Sequence, residues 1–379
     1  MLKHRTDKAF RAIFLLLATF ILTQGSALAS DDSGAEFNAG DMIMHHVMDA
    51  HDIHFLSVGD HHLTIPLPII LWSNEDGLSI FSSSNFHHGH AAYNRYAIDH
   101  GHIVRLSAYN PLALSEELNL TEAKALGYAE ESWQGFFNGR PSGFIDLSLT
   151  KTAAGVLLTV VLMFIIFISI AKAYKRSPNE APKGLQSLME PIILFVRDEI
   201  AKPSIGHKYE VFLPFLLTIF FFIWIANVLG LIPFIGGFNV TGNIAVTLVL
   251  ALFTFILTTV KGNKNYWAHI FATPGVPVWL LPLMVPIEIM GMFTKPVVLC
   301  LRLFANITAG HIIILSFMSL IFIFAAKYGA TAGFGVSIVS VAFGIFMNTM
   351  EILVAFLQAY VFTLLSALYL GSAVEEHHH

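Results

Sequence analysis

Residues 211–260 contain no Asp, Glu, Lys or Arg, and this feature restricts the fold of the chain more than any other. One crossing of a bilayer core needs about 20 apolar residues, so the stretch is long enough for two spans. The neutral turn Gly236-Gly237-Phe238-Asn239 divides it. Only 12% of all residues are charged, against about 25% in soluble domains. Lipid must therefore be the solvent for much of the chain, which excludes an ordinary soluble protein.

Further apolar stretches flank this pair of spans. Residues 151–170 are long enough for one more span, whereas 296–326 and 328–374 would be helices of about 45 and 70 Å at 1.5 Å per residue. Both exceed a bilayer core of about 30 Å, so they must tilt, bend or run partly along the membrane. Residues 276–294 either span or enter and return on one side. We therefore predict an all-α polytopic membrane protein with about five transmembrane helices.

A shorter helix is predicted between the first two spans, at residues 184–201. Its pattern places Leu188, Ile192 and Phe195 on one face, which is typical of an amphipathic helix at the membrane interface.

The N-terminal part of the chain has a different composition. Residues 1–29 have a basic start, an apolar run and the small-residue site Ala27-Leu28-Ala29, which together predict a secretory signal peptide. An uncleaved first transmembrane helix is the alternative. Residues 30–145 are polar and hold 11 of the 18 His residues. Strands are predicted at 61–72 and 78–81 and a helix at 42–55, which gives a small mixed α/β domain ahead of a membrane domain at 146–379.

Loop charges predict the orientation, because cytoplasmic loops are enriched in Lys and Arg. Basic residues follow the first and third spans, and none lies between the second and third: Lys172, Lys175, Arg176 and Lys183, then Lys261 and Lys264. We expect a multi-pass protein of the cell inner membrane, with the N-terminal domain in the periplasm and the C-terminus in the cytoplasm. Lys295 favours a return of residues 276–294 to the cytoplasmic side.

Four ionisable residues lie within the later apolar segments: Glu288, Arg302, His311 and Glu351. Charges inside a membrane cost several kcal/mol, so such residues usually face a partner, a pore or water. A structural ion pair between Arg302 and one Glu is one reading. A translocation path is the other, and the presence of two carboxylates, an Arg and a His favours it.

Helical spacing adds detail to this reading. Arg302 and Asn306 share a face, whereas His311, nine residues from Arg302, lies on the opposite face, about 2.5 turns away. Glu351 and Gln358 share a face of the next segment. An arginine does not deprotonate in proteins, so it is a barrier rather than a proton carrier. Histidine and glutamate can carry protons.

The segment Leu301-Arg302-Leu303-Phe304-Ala305-Asn306-Ile307-Thr308-Ala309-Gly310-His311 resembles subunit a of the F-type ATP synthase, the stator half of its proton channel. Lys295-Pro296, the stretch from Glu351 to Gln358, Tyr369-Leu370 and Asn227-Val228-Leu229-Gly230-Leu231-Ile232-Pro233 fit the same family. The resemblance covers about residues 148–376 and leaves out the N-terminal domain.

The resemblance implies long tilted membrane hairpins beside a ring of c subunits, with a b-subunit peripheral stalk and the rest of the ATP synthase as further partners. Two offset half-channels would carry protons to and from the ring carboxylates and drive rotation. Arg302 matches the essential arginine, and Asn306 and Gln358 match polar residues near it. His311 and Glu351 match the outer half-channel, in the order His then Glu instead of the reverse order of many bacterial relatives.

The same resemblance matches Glu288 to the cytoplasmic half-channel. At Gly230 the chain departs from relatives that have an acidic residue. The chain has no Gly-x-x-x-x-Gly-Lys phosphate loop, so we expect a non-catalytic subunit with no cofactor, no metal in the site and no nucleic-acid partner.

Two other functions remain alternatives. An independent secondary transporter or ion channel would have internal repeats and a binding pocket near the midplane, and no repeat is evident. A metal-handling or sensor membrane protein would centre on the His-rich domain, whose histidines could bind zinc or copper. The single cysteine, Cys300, excludes an internal disulfide and a cysteine-based metal cluster.

Overall fold

The computed structural model describes residues 39–40, 43, 49–58, 61–73, 77–89, 91–99, 101–106, 130–131, 144–176, 181–232, 237–271 and 277–374. The predicted signal peptide, residues 1–29, lies outside this part of the chain. The chain divides into two compact units. Residues 1–154 with 233–237 form one, here called the outer unit, and 155–232 with 238–379 form the other, the helical unit.

The described part of the outer unit contains eight short strands in three antiparallel sheets. The sheet orders are β1-β2, β4-β3-β8 and β5-β6-β7. The strands are β1 Asp52–Val58, β2 His61–Pro66, β3 Pro68–Ser73, β4 Gly77–Ser82, β5 Tyr96–Asp99, β6 His102–Leu106, β7 Glu130–Glu131 and β8 Phe144–Asp146, with a 3₁₀ helix at Ser83–Gly89.

Alternation along β3 builds the core of the outer unit. Ile69 and Leu71 are fully buried, whereas Trp72, the residue after Leu71, is 42% exposed. This is expected because successive side chains of a strand point to opposite faces of the sheet. The buried face contributes to one cluster: Ile69, Leu71, Phe86, Tyr96, Ile103 and Phe144. The strands predicted at 61–72 and 78–81 are confirmed.

The helix predicted at 42–55 is wrong from Asp52 onward, because β1 begins there. Its backbone pairs with β2 in a hairpin that aligns Asp52 with Pro66 and Ile53 with Ile65. β-Branched and aromatic residues favour such a pleated surface, and pairing with a neighbouring strand outweighed the weak helical pattern. Residues 42 and 44–48 lie outside the described part.

The helical unit confirms the prediction of about five transmembrane helices. Within the described part of the chain, five helical stretches are long and apolar enough to cross a membrane: Lys151–Arg176, Leu185–Leu231, Ile244–Lys261, Leu281–Tyr328 and Ala330–Val374. The individual helices are α1 Lys151–Arg176, α2 Leu185–Phe195, α3 Lys202–Ile205, α4 Tyr209–Leu231, α5 Ile244–Lys261, α6 Lys264–Phe271, α7 Leu281–Tyr328 and α8 Ala330–Val374. A π-helical turn, Val196–Ala201, joins α2 to α3.

Residues 281–294 form neither a separate span nor a separate re-entrant segment, because they are the beginning of α7. This helix continues through Pro286 and Pro296 for 48 residues, about 72 Å at 1.5 Å per residue. Backbone groups inside lipid must be hydrogen-bonded within the chain, so the helix persists although each proline removes one donor. A helix of this length must tilt, bend or extend beyond a bilayer core of about 30 Å, as the sequence predicts.

The helix predicted at 184–201 is present as α2 and the π-helical turn, but a different face is buried. Gln186, Met189, Val196 and Ile200 are buried, whereas Leu188 is 59% exposed. Both faces of this segment are partly apolar, so periodicity alone could not decide which one contacts protein and which one is left for lipid.

Candidate functional site

The site lies on the antiparallel hairpin of α7 and α8, whose register follows from several contacts along its length. Near the connecting Gly329, the rings of Phe317 and Phe343 stack with centroids 3.8 Å apart. At the far end, the Lys295 ammonium lies 5.4 Å from the centroid of the Tyr369 ring. Each residue of α7 therefore lies beside the residue of α8 that is about equally far from Gly329.

Glu351 meets α7 at Gly310, midway along this hairpin. The Glu351 side chain is buried, with 9% of the residue exposed. A carboxylate oxygen packs directly against the α-carbon of Gly310, and a β-carbon there would overlap it. His311, the next residue of α7, is half-buried. Two of the predicted site residues are thus brought to the same level of the hairpin.

Arg302 and Asn306 are exposed side by side on α7, as their spacing predicts. From the Gly310 contact, the register brings Arg302 level with the buried Gln358 of α8. Among the described residues Arg302 has no ion-pair partner. The structural ion pair between Arg302 and a Glu of this chain is therefore not formed in the described part of the chain.

Glu288 lies apart from these residues. It is half-buried on the first turns of α7, 14 residues before Arg302, which is about 21 Å along a helix. His311 and Glu351 lie on the other side of Arg302. The ionisable groups are therefore ordered along the hairpin, with the arginine between a carboxylate on one side and a carboxylate and histidine on the other.

Two polar residues beside Glu351 were not singled out by the sequence reasoning about ionisable groups. The Asn227 amide of α4 donates to the Ala355 carbonyl, 3.3 Å away and one turn beyond Glu351. The Thr241 hydroxyl donates to Oδ1 of the Asn227 side-chain amide. Both residues are buried. The sequence does contain a signal for this pair, because Asn227 is a polar amide residue inside the charge-free stretch 211–260.

The departure from the family pattern at Gly230 has a steric reason. A β-carbon at this position would lie 2.8 Å from the Phe238 carbonyl oxygen. An acidic side chain at 230 would require the turn containing Phe238 to move.

The described residues contain no group of three or more His, Cys, Asp or Glu side chains placed to hold a metal ion. Several histidines of the outer unit, among them His45, His46, His90 and His100, lie outside the described part. Metal binding by that unit remains a hypothesis.

Comparison with known proteins identifies the helical unit. Residues 155–371 match the family model described as ATP synthase A chain. The chain belongs to this family. The resemblance stated from Arg302 and its neighbours is thereby confirmed. The match begins within α1 and leaves the strands of the outer unit outside it, whereas residues 42–126 match a family described as a domain of unknown function (DUF8433).

Curated relatives agree with this membership. The chain is 45% identical over 243 residues to ATP synthase subunit a of Chloroherpeton thalassium, a match that covers 62% of this chain and 70% of the relative. It is 48% identical over 238 residues to ATP synthase subunit a 2 of Chlorobaculum tepidum, covering 61% and 64%. With ATP synthase subunit a of Myxococcus xanthus it shares 42% identity over 249 residues, covering 64% and 78%.

Proposed function

We propose that this chain is the proton-conducting stator subunit in the membrane sector of a bacterial F-type ATP synthase, where it presents Arg302 to a ring of c subunits. The observation that supports this most is the exposure of Arg302 without an ion-pair partner among the described residues, on a helix that is otherwise apolar at this level. An unpaired charge in lipid is costly. A ring carboxylate would satisfy it.

The surface around Arg302 suits a close helical partner. Leu301, Ala305 and Ala309 are exposed beside Arg302 on α7, and small residues allow membrane helices to approach closely. Each passing carboxylate would pair with Arg302 once per step and then leave it. Because the guanidinium keeps its proton, it would also block a direct leak past this level of the hairpin.

Protons would reach the ring through two offset half-channels on either side of Arg302. The outer one would pass His311 and Glu351, with Asn227 and Thr241 as its polar wall. The inner one would pass Glu288. Asn306 and Gln358 would line the level of Arg302 itself. Histidine and carboxylate side chains can take up and release protons near neutral pH, which this role requires.

The charges at the helix ends support the proposed orientation. Lys175 and Arg176 end α1, and Lys261 ends α5, so these ends would be cytoplasmic by the positive-inside rule. The end of α8 lies on that side too, because the backbone N–H of Asn263, just after α5, donates to the backbone carbonyl of Ala373 at 2.9 Å. The C-terminus would be cytoplasmic and the outer unit, residues 30–145 after cleavage of residues 1–29, periplasmic. The b-subunit stalk and the rest of the ATP synthase are the further partners.

The decisive test is Arg302→Ala in the assembled complex, reconstituted in vesicles with a proton gradient. ATP synthesis should fall by at least about a hundredfold, as expected when an interaction worth about 3 kcal/mol at the rate-limiting step is removed. Arg176→Ala, which removes an exposed arginine at the end of α1, is the matched control and should retain synthesis. Substantial coupled synthesis by an assembled Arg302→Ala complex would contradict the proposed role.

A further inference from the structure

A second cation lies on the same face of α7 as Arg302. Lys295 precedes Arg302 by seven residues, which is two helical turns and about 10 Å. Its side chain is exposed, and its ammonium is held 5.4 Å from the centroid of the Tyr369 ring on α8. Lys295, Arg302 and Tyr369 therefore lie close together at one end of the hairpin, which is the cytoplasmic end in the proposed orientation.

The described residues that line the pocket beside Lys295 include hydroxyl groups and no carboxylate. A small pocket beside it is lined by Thr258 of α5, Tyr266 of α6, and Tyr369 and Ser372 of α8, together with apolar side chains. Among the described residues that line this pocket, the titratable groups from other helices are the two tyrosines, and along its own helix Glu288 and Arg302 are the nearest ionisable groups within the span. Lys295 forms no ion pair with any residue in the described part of the chain.

The ring of Tyr369 holds the Lys295 side chain in place against α8. A cation over an aromatic face is attracted by the ring quadrupole, which holds the flexible lysine side chain against α8. The pair Lys295 and Tyr369 is matched at the other end of α7 by Lys327, whose ammonium lies 5.7 Å from the centroid of the Tyr328 ring. The same contact therefore occurs twice on this helix, once near Arg302 and once far from it.

We propose that Lys295, positioned by Tyr369, is a second fixed positive charge that favours release of the proton from a ring carboxylate into the inner half-channel. This proposal rests on the proposed function. A positive charge stabilises the ionised form of a nearby carboxylate. A carboxylate that has left Arg302 toward the inner side would move closer to Lys295, so its proton would leave at a lower inner pH than without the lysine.

Coulomb's law sets the size of the effect. A unit charge about 10 Å away, at an effective dielectric constant between that of protein and that of water, shifts a proton equilibrium by about 0.5–1 pH unit. Removing the charge should move the dependence of ATP synthesis on inner pH toward the alkaline side by this amount. A residue that only supported packing would lower the rate without moving the midpoint.

The test measures ATP synthesis by the complete complex in vesicles. The inner pH, which is the pH on the side where ATP is made, is varied, while the outer pH and the membrane potential are held constant. Lys295→Gln should shift the midpoint by about 0.5–1 pH unit to the alkaline side, and Lys295→Arg should restore the parent midpoint. Tyr369→Leu, which removes the ring, should shift it in the same direction by less, whereas Tyr369→Phe should keep it. Lys327→Gln removes the same charge in the same kind of contact about 48 Å from Lys295 along the helix, and should leave the midpoint unchanged.

The outcomes separate this proposal from the proposed function. A Lys295→Gln profile that superimposes on the parent profile, in a complex that Arg302→Ala still inactivates, would overturn the role of Lys295 alone. If the Lys295→Gln complex does not assemble, equal midpoints for Tyr369→Leu and Tyr369→Phe would overturn it instead. A parent complex without proton-coupled synthesis would contradict the proposed function itself.

Discussion

The outer unit and the helical unit both bury mostly apolar side chains, for example Ile69 and Phe86 in the outer unit. They differ in the hydroxyl side chains that are buried between the helices: Thr363 and Ser366 are fully buried, while Ile338 and Val211 on the surface of the helical unit are 74% and 69% exposed. Apolar surface is stable in lipid and polar groups there must find partners inside the protein, which accounts for this arrangement of the helical unit.

The same comparison explains where charge is tolerated. At the end of the helical unit that is cytoplasmic in the proposed orientation, Asp198 pairs with Arg197 at 2.8 Å and with Lys202 at 2.6 Å. In water such exposed pairs contribute little stability. Farther along the helices charges are scarce, and the remaining ones lie either buried against a neighbouring helix, as Glu351 does, or exposed toward the proposed ring, as Arg302 does.

After Arg302→Ala, the largest effect is expected from Gly310→Ala, because it disturbs a polar group buried in the helical unit. The new β-carbon would overlap the Glu351 carboxylate. Such overpacking costs about 1–3 kcal/mol. If the displaced Glu351 carboxylate raises the barrier to proton transfer by this amount, proton flux through the complex should fall about fivefold to 150-fold. Gly291→Ala on the same helix meets nothing within 4 Å and should preserve flux. Equal flux in the two variants would show that the Glu351 contact is not required.

The next test asks whether His311 and Glu351 act together. A double-mutant cycle of His311→Ala and Glu351→Ala on proton flux should give a coupling of about 0.5–3 kcal/mol, as expected for neighbouring residues in one path. The cycle of His311→Ala with Glu288→Ala is the control, since Glu288 lies 23 residues away on the same helix. Simple additivity in the first cycle would argue against a shared proton path.

A smaller effect on stability is expected from Asn227→Leu. This change leaves the Thr241 hydroxyl and the Ala355 carbonyl without their partner, which costs about 1–3 kcal/mol for buried groups. The thermal transition of the purified complex should fall accordingly. Thr259→Val removes a hydroxyl that donates to the Phe255 carbonyl of its own helix. It should change the free energy of unfolding by no more than about 0.5 kcal/mol, so the transition temperature should stay close to that of the parent. An unchanged transition in Asn227→Leu would show that this polar contact is dispensable.

The smallest effect concerns acid sensitivity of the outer unit. Burial alone would raise the pKa of Asp146, but the His51 imidazole and the Ser148 amide, which donates at 2.8 Å, together hold that pKa below its ordinary value. His51 Nε2 lies 3.8 Å from Asp146 Oδ2. The stabilisation is therefore fully present above the unfolded pKa of about 3.9 and is lost as pH falls through the lower folded value.

Hydrogen exchange in the intact complex measures the stabilisation of the outer unit by the Asp146 carboxylate. Amides of β3 and β8 should exchange faster in Asp146→Asn than in the parent at pH 6, and the difference should shrink as pH approaches about 3. Asp99→Asn, at the end of β5, serves as a control in the same unit. A difference between Asp146→Asn and the parent that is independent of pH would rule out the titration of Asp146 as its cause.

The positions of most elements followed from sequence patterns, and the exceptions have identifiable causes. Charge-free runs predicted α1, α4 and α5, and alternation predicted β3 and β4. The strand β1 was missed because pairing with β2 outweighs a weak local pattern. The continuity of α7 through Lys295 was missed because residues 276–294 were ambiguous by length and Lys295 favoured a return to the cytoplasmic side, whereas residues 281–328 form one helix.

By itself, the sequence determined that much of the chain lies in lipid and which loops carry positive charge. It also determined that Arg302, His311 and Glu351 are the conspicuous polar groups of an apolar region. Only the tertiary structure decided that Glu351 packs against Gly310, that Asn227 reaches α8, and that Lys295 lies over Tyr369. The reason is geometric. The helical period sets the angle of each side chain about its own axis, but the axial offset and rotation of the neighbouring helix depend on packing along the whole hairpin.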